Sequence, residues 1–200
     1  MITSILFDLN DVLVHYDNNL MNAQFIKEFG IDIKTFWDAR HQNYLMRDYC
    51  LGKIDYDEFL SKILELNDIR SDRLANDKEL HEKNIFLVKD IEILLADLKK
   101  YYRLVLVAGD GEASLNLKLD KFYLRKYFDA IYCTCFEGLL KSDPGFYKKV
   151  LEKEWLKAEE CLFIDDQERF TIIAEGLGMK VMIFHDVGTL RAELKKKSIL

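Results

Sequence analysis

The chain has 200 residues, half of them apolar, with a single proline, Pro144. That length buries one sizeable core and a small appendage, so one domain carrying an insert is expected and a Pro-rich linker is excluded. The formal net charge of -6 argues against a nucleic-acid or anionic-membrane partner, since either favours a basic face, and no apolar stretch approaches the length needed to cross a bilayer.

The N-terminus runs straight into an apolar segment with no secretory signal ahead of it. Cys50 and Cys161 lie among apolar residues, and Cys133 and Cys135 alternate along one expected strand, which puts both thiols on the same face. Buried structural thiols in a reducing, cytoplasmic setting fit this usage best.

The first element is Ile5, Leu6 and Phe7, a run too short for a helix and apolar enough for a fully buried strand. Asp8 follows at its C-terminal edge, where open α/β sheets bind ligands. Asp17, Asn18 or Asn19 can cap a helix to Phe29, striped by Phe25, Ile26 and Phe29 and stopped by Gly30. An aromatic-rich helix is expected over 34–49, and Asp55 with Glu58 starts another that carries Phe59, Ile63 and Leu66. Residues 68–85 are polar and hard to place. No strand pattern occurs between the first strand and residue 88, so 15–85 reads as a small helical cap inserted in an α/β core made of 1–14 and 86–200.

Beyond Val88 helix and strand alternate: Ile91–Leu98, then a strand at 104–107, then a helix through Leu115, Leu119 and Phe122, then a strand around Ile131. Pro144 starts a helix to about Trp155, where a missing N–H does no harm. The strand 162–164, a helix ending at Gly176 or Gly178, the strand 181–184 and a final amphipathic helix complete the chain. Five strands joined by helices predict a Rossmann-like parallel sheet with right-handed crossovers and both faces covered.

Four stretches carry a resemblance: FDLNDVL (7–13), RLVLVAGDG (103–111), LLKSDPGFY (139–147) and FIDD (163–166). In order and spacing they resemble the haloacid dehalogenase (HAD) superfamily over essentially the whole chain. Within it they resemble the small-helical-cap subgroup that includes glucose-1-phosphatase and the N-terminal phosphatase domain of soluble epoxide hydrolase. The resemblance implies the strand order 5-4-1-2-3. It implies that Asp8 is a nucleophile forming an aspartyl-phosphate and that Lys141 neutralises both Asp8 and the transferring phosphoryl group. Asp8, Asp165, Asp166 and the backbone carbonyl of Asn10 would bind Mg2+, for which an all-oxygen site is suited. Gly109 lies just past the second strand, where its N–H could donate to a phosphate oxygen.

Two positions depart from the family pattern. Its phosphatases carry a second Asp two residues after the nucleophile as general acid and base, and this chain has Asn10, which transfers no proton; that loss typically costs about 100- to 10,000-fold. The second strand ends in Ala108 rather than Ser or Thr, which removes a phosphate donor worth on the order of 100-fold. Asp110 and Glu112 add negative charge beside an anion site, and replacing Asn10 by Asp is expected to restore acid/base help. The reading favours a Mg2+-dependent hydrolase acting on a small phosphorylated molecule. The alternative is a catalytically impaired HAD-fold binding or regulatory protein. Trp37, Arg40, His41, Tyr44 and Arg47 fall on one cap helix, either facing substrate or serving the cap's own core and surface.

Overall fold

The computed structural model describes residues 1–32, 34–35, 44–70 and 74–200. Strand β1 (Ser4–Phe7) lies at the centre of a five-stranded sheet and is buried at all four residues. It pairs in parallel with β4 (Arg103–Ala108) on one side and β6 (Cys161–Asp165) on the other; β5 (Ala130–Cys133) and β7 (Lys180–Ile183) form the edges. The spatial order β5-β4-β1-β6-β7 is the predicted 5-4-1-2-3, read from the opposite edge with only the sheet's own strands numbered.

Because side chains alternate across a strand, the three central strands feed two separate cores. Ile5, Phe7, Leu104, Leu106, Leu162 and Ile164 point to one face, which is covered by α5 (Ile91–Leu98), α6 (Glu112–Lys121) and α10 (Val187–Lys196). Leu6, Val105, Val107, Cys161 and Phe163 point to the other, beneath α8 (Pro144–Lys153) and α9 (Glu168–Gly176). Burial on both faces explains why these strands are nearly continuous apolar runs rather than alternating ones.

The helical insert is bracketed by two three-residue strands that the sequence pattern did not reveal. β2 (Val14–Tyr16) and β3 (Ile85–Leu87) pair antiparallel, Val14 opposite Leu87. Three residues are too few to register a period of two. Between them lie α1 (Asn18–Phe29), α2 (Leu45–Cys50), α3 (Tyr56–Leu66) and α4 (Leu74–Lys83). Asp17 caps α1 by accepting from the Leu20 N–H at 2.9 Å, and Gly30 ends it at φ 77°, in the left-handed region that glycine adopts without strain. Asp55 caps α3 in the same way through the Glu58 N–H at 2.8 Å.

The insert has its own core, built on Met21, Phe25, Phe29, Tyr49, Phe59 and Ile63. Ile26 and Leu66, expected to face inward, are instead about half exposed; Met21 occupies the inner face of α1. The 68–85 stretch contains α4, a helix whose polar composition hid it. Among the described residues no helix is long and apolar enough to cross a membrane. Trp37, Arg40 and His41 lie outside the described residues, and Tyr44 and Arg47 are exposed.

Cys133 and Cys135 do not share a strand. β5 ends at Cys133, and Cys135 lies in the one-turn helix α7 (Thr134–Glu137). The turn nevertheless brings the two sulfurs to 3.1 Å, and all four cysteines are free.

Candidate active site

The parallel register sets the site. Phe7 is level with Ile164, and the Asp8 N–H extends that ladder by donating to the Ile164 carbonyl at 2.9 Å. Asp8 therefore emerges just past β1, beside Asp165 at the end of β6. Lys141 arrives from another direction: Asp143 caps α8 by accepting from the Gly145 N–H at 2.8 Å, with Pro144 at the first helical position, and the loop before the cap turns Lys141 inward. Its ammonium donates to Asp8 Oδ1 and Asp165 Oδ2, both at 2.5 Å, in a setting where all three side chains are buried. The lysine stem passes Gly109, where an added Cβ would come within 3.1 Å of Lys141 Cδ. The Phe170 ring lies 4.6 Å from its ammonium.

Asp166 completes the cluster. One oxygen from each of Asp8, Asp165 and Asp166 lies within 4.8 Å of the others. Asp165 spends its second oxygen on the Gln167 N–H at 2.8 Å, whereas Asp166 Oδ1 is buried without a hydrogen-bond partner. Three carboxylates thus lie together, and the Lys141 ammonium bonds to two of them. Burial, opposed by Lys141 and reinforced by Asp165, pushes the Asp8 carboxyl up to about 6. Burial, followed by the charges of Asp165 and Asp11, pushes Asp166 up to about 6. Carboxyls raised this far mark a place short of positive charge. An orphaned buried oxygen and an all-oxygen donor set fit a hard divalent cation. Asp11 itself is exposed, with a left-handed φ of 60°.

A second buried lysine was missed in the sequence. Lys118, on α6, is 2% exposed and donates to Asp110 Oδ2 at 2.6 Å and to Asn10 Oδ1 at 2.7 Å. Burial works most strongly on its ammonium and against it, but the charge and hydrogen bond of Asp110 together with Tyr16 outweigh it, and the lysine is held above its ordinary range. Asp110 is therefore not the free negative charge expected beside the anion site: its charge is matched, its N–H donates to Thr134 Oγ1 at 3.2 Å and its carboxylate also takes the Gly111 N–H at 2.9 Å. The signal was available. Lys118 stands three residues after Leu115 and one before Leu119, on the apolar stripe of its helix, where a lysine is buried only if paired.

Tyr49 was missed as well. Its hydroxyl accepts from the Ser114 N–H at 3.2 Å, and its ring lies so close over Gly111 that a Cβ there would fall 2.0 Å from a ring carbon. The insert is thereby fastened to the start of α6. Ala108, at the end of β4, is fully buried and offers no hydroxyl.

The parallel sheet of this order carries the acidic cluster and the buried lysine at its C-terminal edge, beyond β1 and β6, which is where Rossmann-like α/β proteins bind ligands. Residues 2–174 match the model of the haloacid dehalogenase-like hydrolases, and the chain belongs to that family: it is a hydrolase. D-ribitol-5-phosphate phosphatase of Bacteroides thetaiotaomicron is 24% identical over 97% of this chain and 97% of its own. Flavin mononucleotide hydrolase 1 of Arabidopsis thaliana is 31% identical over 84 residues, 42% of this chain and 34% of that protein. Among solved structures, a HAD family enzyme of Bacteroides thetaiotaomicron in complex with magnesium and inorganic phosphate superposes with a TM-score of 0.81 at 20% identity, covering 95% of this chain and 99% of that one. At that identity the likeness is one of fold.

Proposed function

We propose that the protein is a Mg2+-dependent phosphatase that hydrolyses the monoester of a small phosphorylated molecule through an aspartyl-phosphate on Asp8. The observation that supports it most is the buried Lys141 bridging Asp8 and Asp165 beside an Asp166 oxygen with no partner. Residues 15–85 act as a cap over this edge of the sheet, and the active site is the cleft between cap and core.

Asp8 attacks phosphorus, forming a carboxylate-oxygen–phosphorus bond as the ester oxygen departs with its electron pair; water then cleaves the acyl phosphate and returns Asp8. Lys141 holds Asp8 in place and offsets negative charge on the transferring group. Asp8, Asp166, Asp165 and the carbonyl of Asn10 would hold Mg2+, which when bound supplies charge neutralisation to the phosphoryl oxygens. Gly109 leaves room for the lysine stem and directs its N–H at the phosphoryl group.

Asn10 gives no proton, and its amide oxygen is occupied by Lys118. The leaving group therefore departs unprotonated by residue 10, so phosphates with acidic leaving groups, aryl esters and acyl phosphates, turn over faster than alkyl esters. The test is steady-state turnover of aryl, acyl and alkyl phosphates with Mg2+, with Asp8→Asn as the control. Phosphate release that survives Asp8→Asn would remove the nucleophile assignment.

A further inference from the structure

The reading above leaves open what the phosphoryl group is attached to, and a cavity beside the site bears on it. A space of about 560 Å3 opens between α6 of the core and helices α2, α3 and α4 of the insert, with Asn10 and Gly109 at its inner end. Asn10 lies two residues after Asp8 and Gly109 lies against the Lys141 stem, so the cavity adjoins the acidic cluster, and its size is that of a site for a small organic molecule, roughly 300–1,000 Å3.

Its walls are aromatic and aliphatic: Tyr16, Met46, Tyr49, Tyr56, Phe59 and Leu117. Tyr49 and Phe59 stack with ring centroids 4.8 Å apart and 14° between planes, and the hold of Tyr49 on Gly111 and Ser114 fixes that wall against the loop after β4.

Among the described residues, the charged groups that line the cavity, apart from the exposed Glu82, already have partners. Lys118 is paired with Asp110 and bonded to Asn10, Lys78 lies 2.5 Å from Asp57, and His81 Nε2 lies 3.4 Å from Asp77. A polyhydroxylated leaving group would have to give up hydrogen bonds to water and find few replacements here. A hydrocarbon group loses nothing and gains the burial of its surface.

We infer that the leaving group is apolar: the substrate is a phosphate monoester of an uncharged hydrocarbon alcohol or phenol whose body occupies this cavity, rather than a sugar or polyol phosphate. This rests on the phosphatase reading for the placement of the phosphoryl group, and it concerns a different set of side chains from those that carry the chemistry.

The test separates binding from turnover. Asp8→Asn, which cannot form the acyl phosphate, is titrated with n-octyl phosphate and with glycerol 3-phosphate in Mg2+; both are esters of primary alcohols, so leaving-group acidity does not enter. Octyl phosphate is expected to bind about 100-fold tighter. Leu117→Asp, a charge on the cavity wall, should abolish that preference, and Ala113→Trp, at an exposed wall position that fills the space from the side of α6, should reduce it without adding charge. Equal binding of the two esters, or tighter binding of glycerol 3-phosphate, would overturn the inference, as would a preference that persists through both wall variants. Acetyl phosphate turnover by the parent is measured alongside: its absence, with the octyl preference intact, counts against the phosphatase reading and leaves the apolar cavity standing.

Discussion

Two buried lysines flank the cleft, and they do opposite things with the same geometry. Lys141 donates to two carboxylates at 2.5 Å, and a third carboxylate, Asp166, stands beside them. Lys118 donates to one carboxylate at 2.6 Å and one neutral amide at 2.7 Å. The first cluster is left with excess negative charge that a divalent cation can satisfy; the second is balanced and asks for nothing. An amide at residue 10 makes the difference, since an Asp there would give Lys118 two carboxylates and turn the second cluster into a copy of the bridge at the first.

The largest effect should come from breaking the first cluster. Asp8→Asn removes the proposed nucleophile, and turnover of any ester is expected to fall by about 10,000-fold or more. Lys141→Met should lose turnover on a similar scale. It also leaves Asp8 and Asp165 buried without their cation, so thermal unfolding should show a loss of stability in buffer that Mg2+ partly restores.

The comparison sharpens at Asn10. Taken from the sequence alone, Asn10→Asp should supply the missing general acid. With Lys118 in place the new carboxylate would be held charged by its ammonium, and a paired carboxylate is a poor proton donor. Asn10→Asp alone is therefore expected to raise alkyl-ester turnover less than about 10-fold, whereas Asn10→Asp with Lys118→Met, which leaves two carboxyls side by side, should raise it about 100-fold or more. Turnover of a matched alkyl and aryl ester by the four proteins of the cycle measures this. An equal gain with and without Lys118 would show that the pairing is irrelevant.

Lys118→Met by itself should act on stability more than on chemistry. Removing one partner of a buried pair strands Asp110, at a cost of about 3–5 kcal/mol, or roughly 10 °C in Tm for a chain of this length. Adding Asp110→Asn should recover part of that, and calorimetric unfolding of the parent and the two variants is the check. The smallest effect expected is at Gly109→Ala. Its Cβ would meet Lys141 Cδ at 3.1 Å, a contact a flexible stem can relieve, so a few-fold loss of kcat with little change in Tm is predicted.

The two clusters also differ in how far the sequence reveals them. Asp8, Asp165 and Asp166 follow apolar strands directly, and Lys141 sits in a loop whose Asp143-Pro144 cap is local, so residue type and position carry the reading. Lys118 is different: its role depends on Asp110, eight residues away on the preceding loop, and on Asn10, 108 residues away across the sheet. Only its place on the apolar stripe of α6 hinted at burial. The insert was legible where caps and aromatic stripes mark it, at α1 and α3, and illegible at α4. That helix is held partly through Asn84, whose amide donates to Gln24 Oε1 and the Leu80 carbonyl, both at 2.7 Å. β2 and β3 gain their definition from each other and have none alone.

The charge contrast is most directly tested by titrating Mg2+ into the parent, Asp166→Ala and Asp110→Asn by calorimetry at millimolar concentrations. The account predicts binding heat in the parent, its loss in Asp166→Ala and its retention in Asp110→Asn. No heat in the parent, or the same heat after Asp166→Ala, would contradict it.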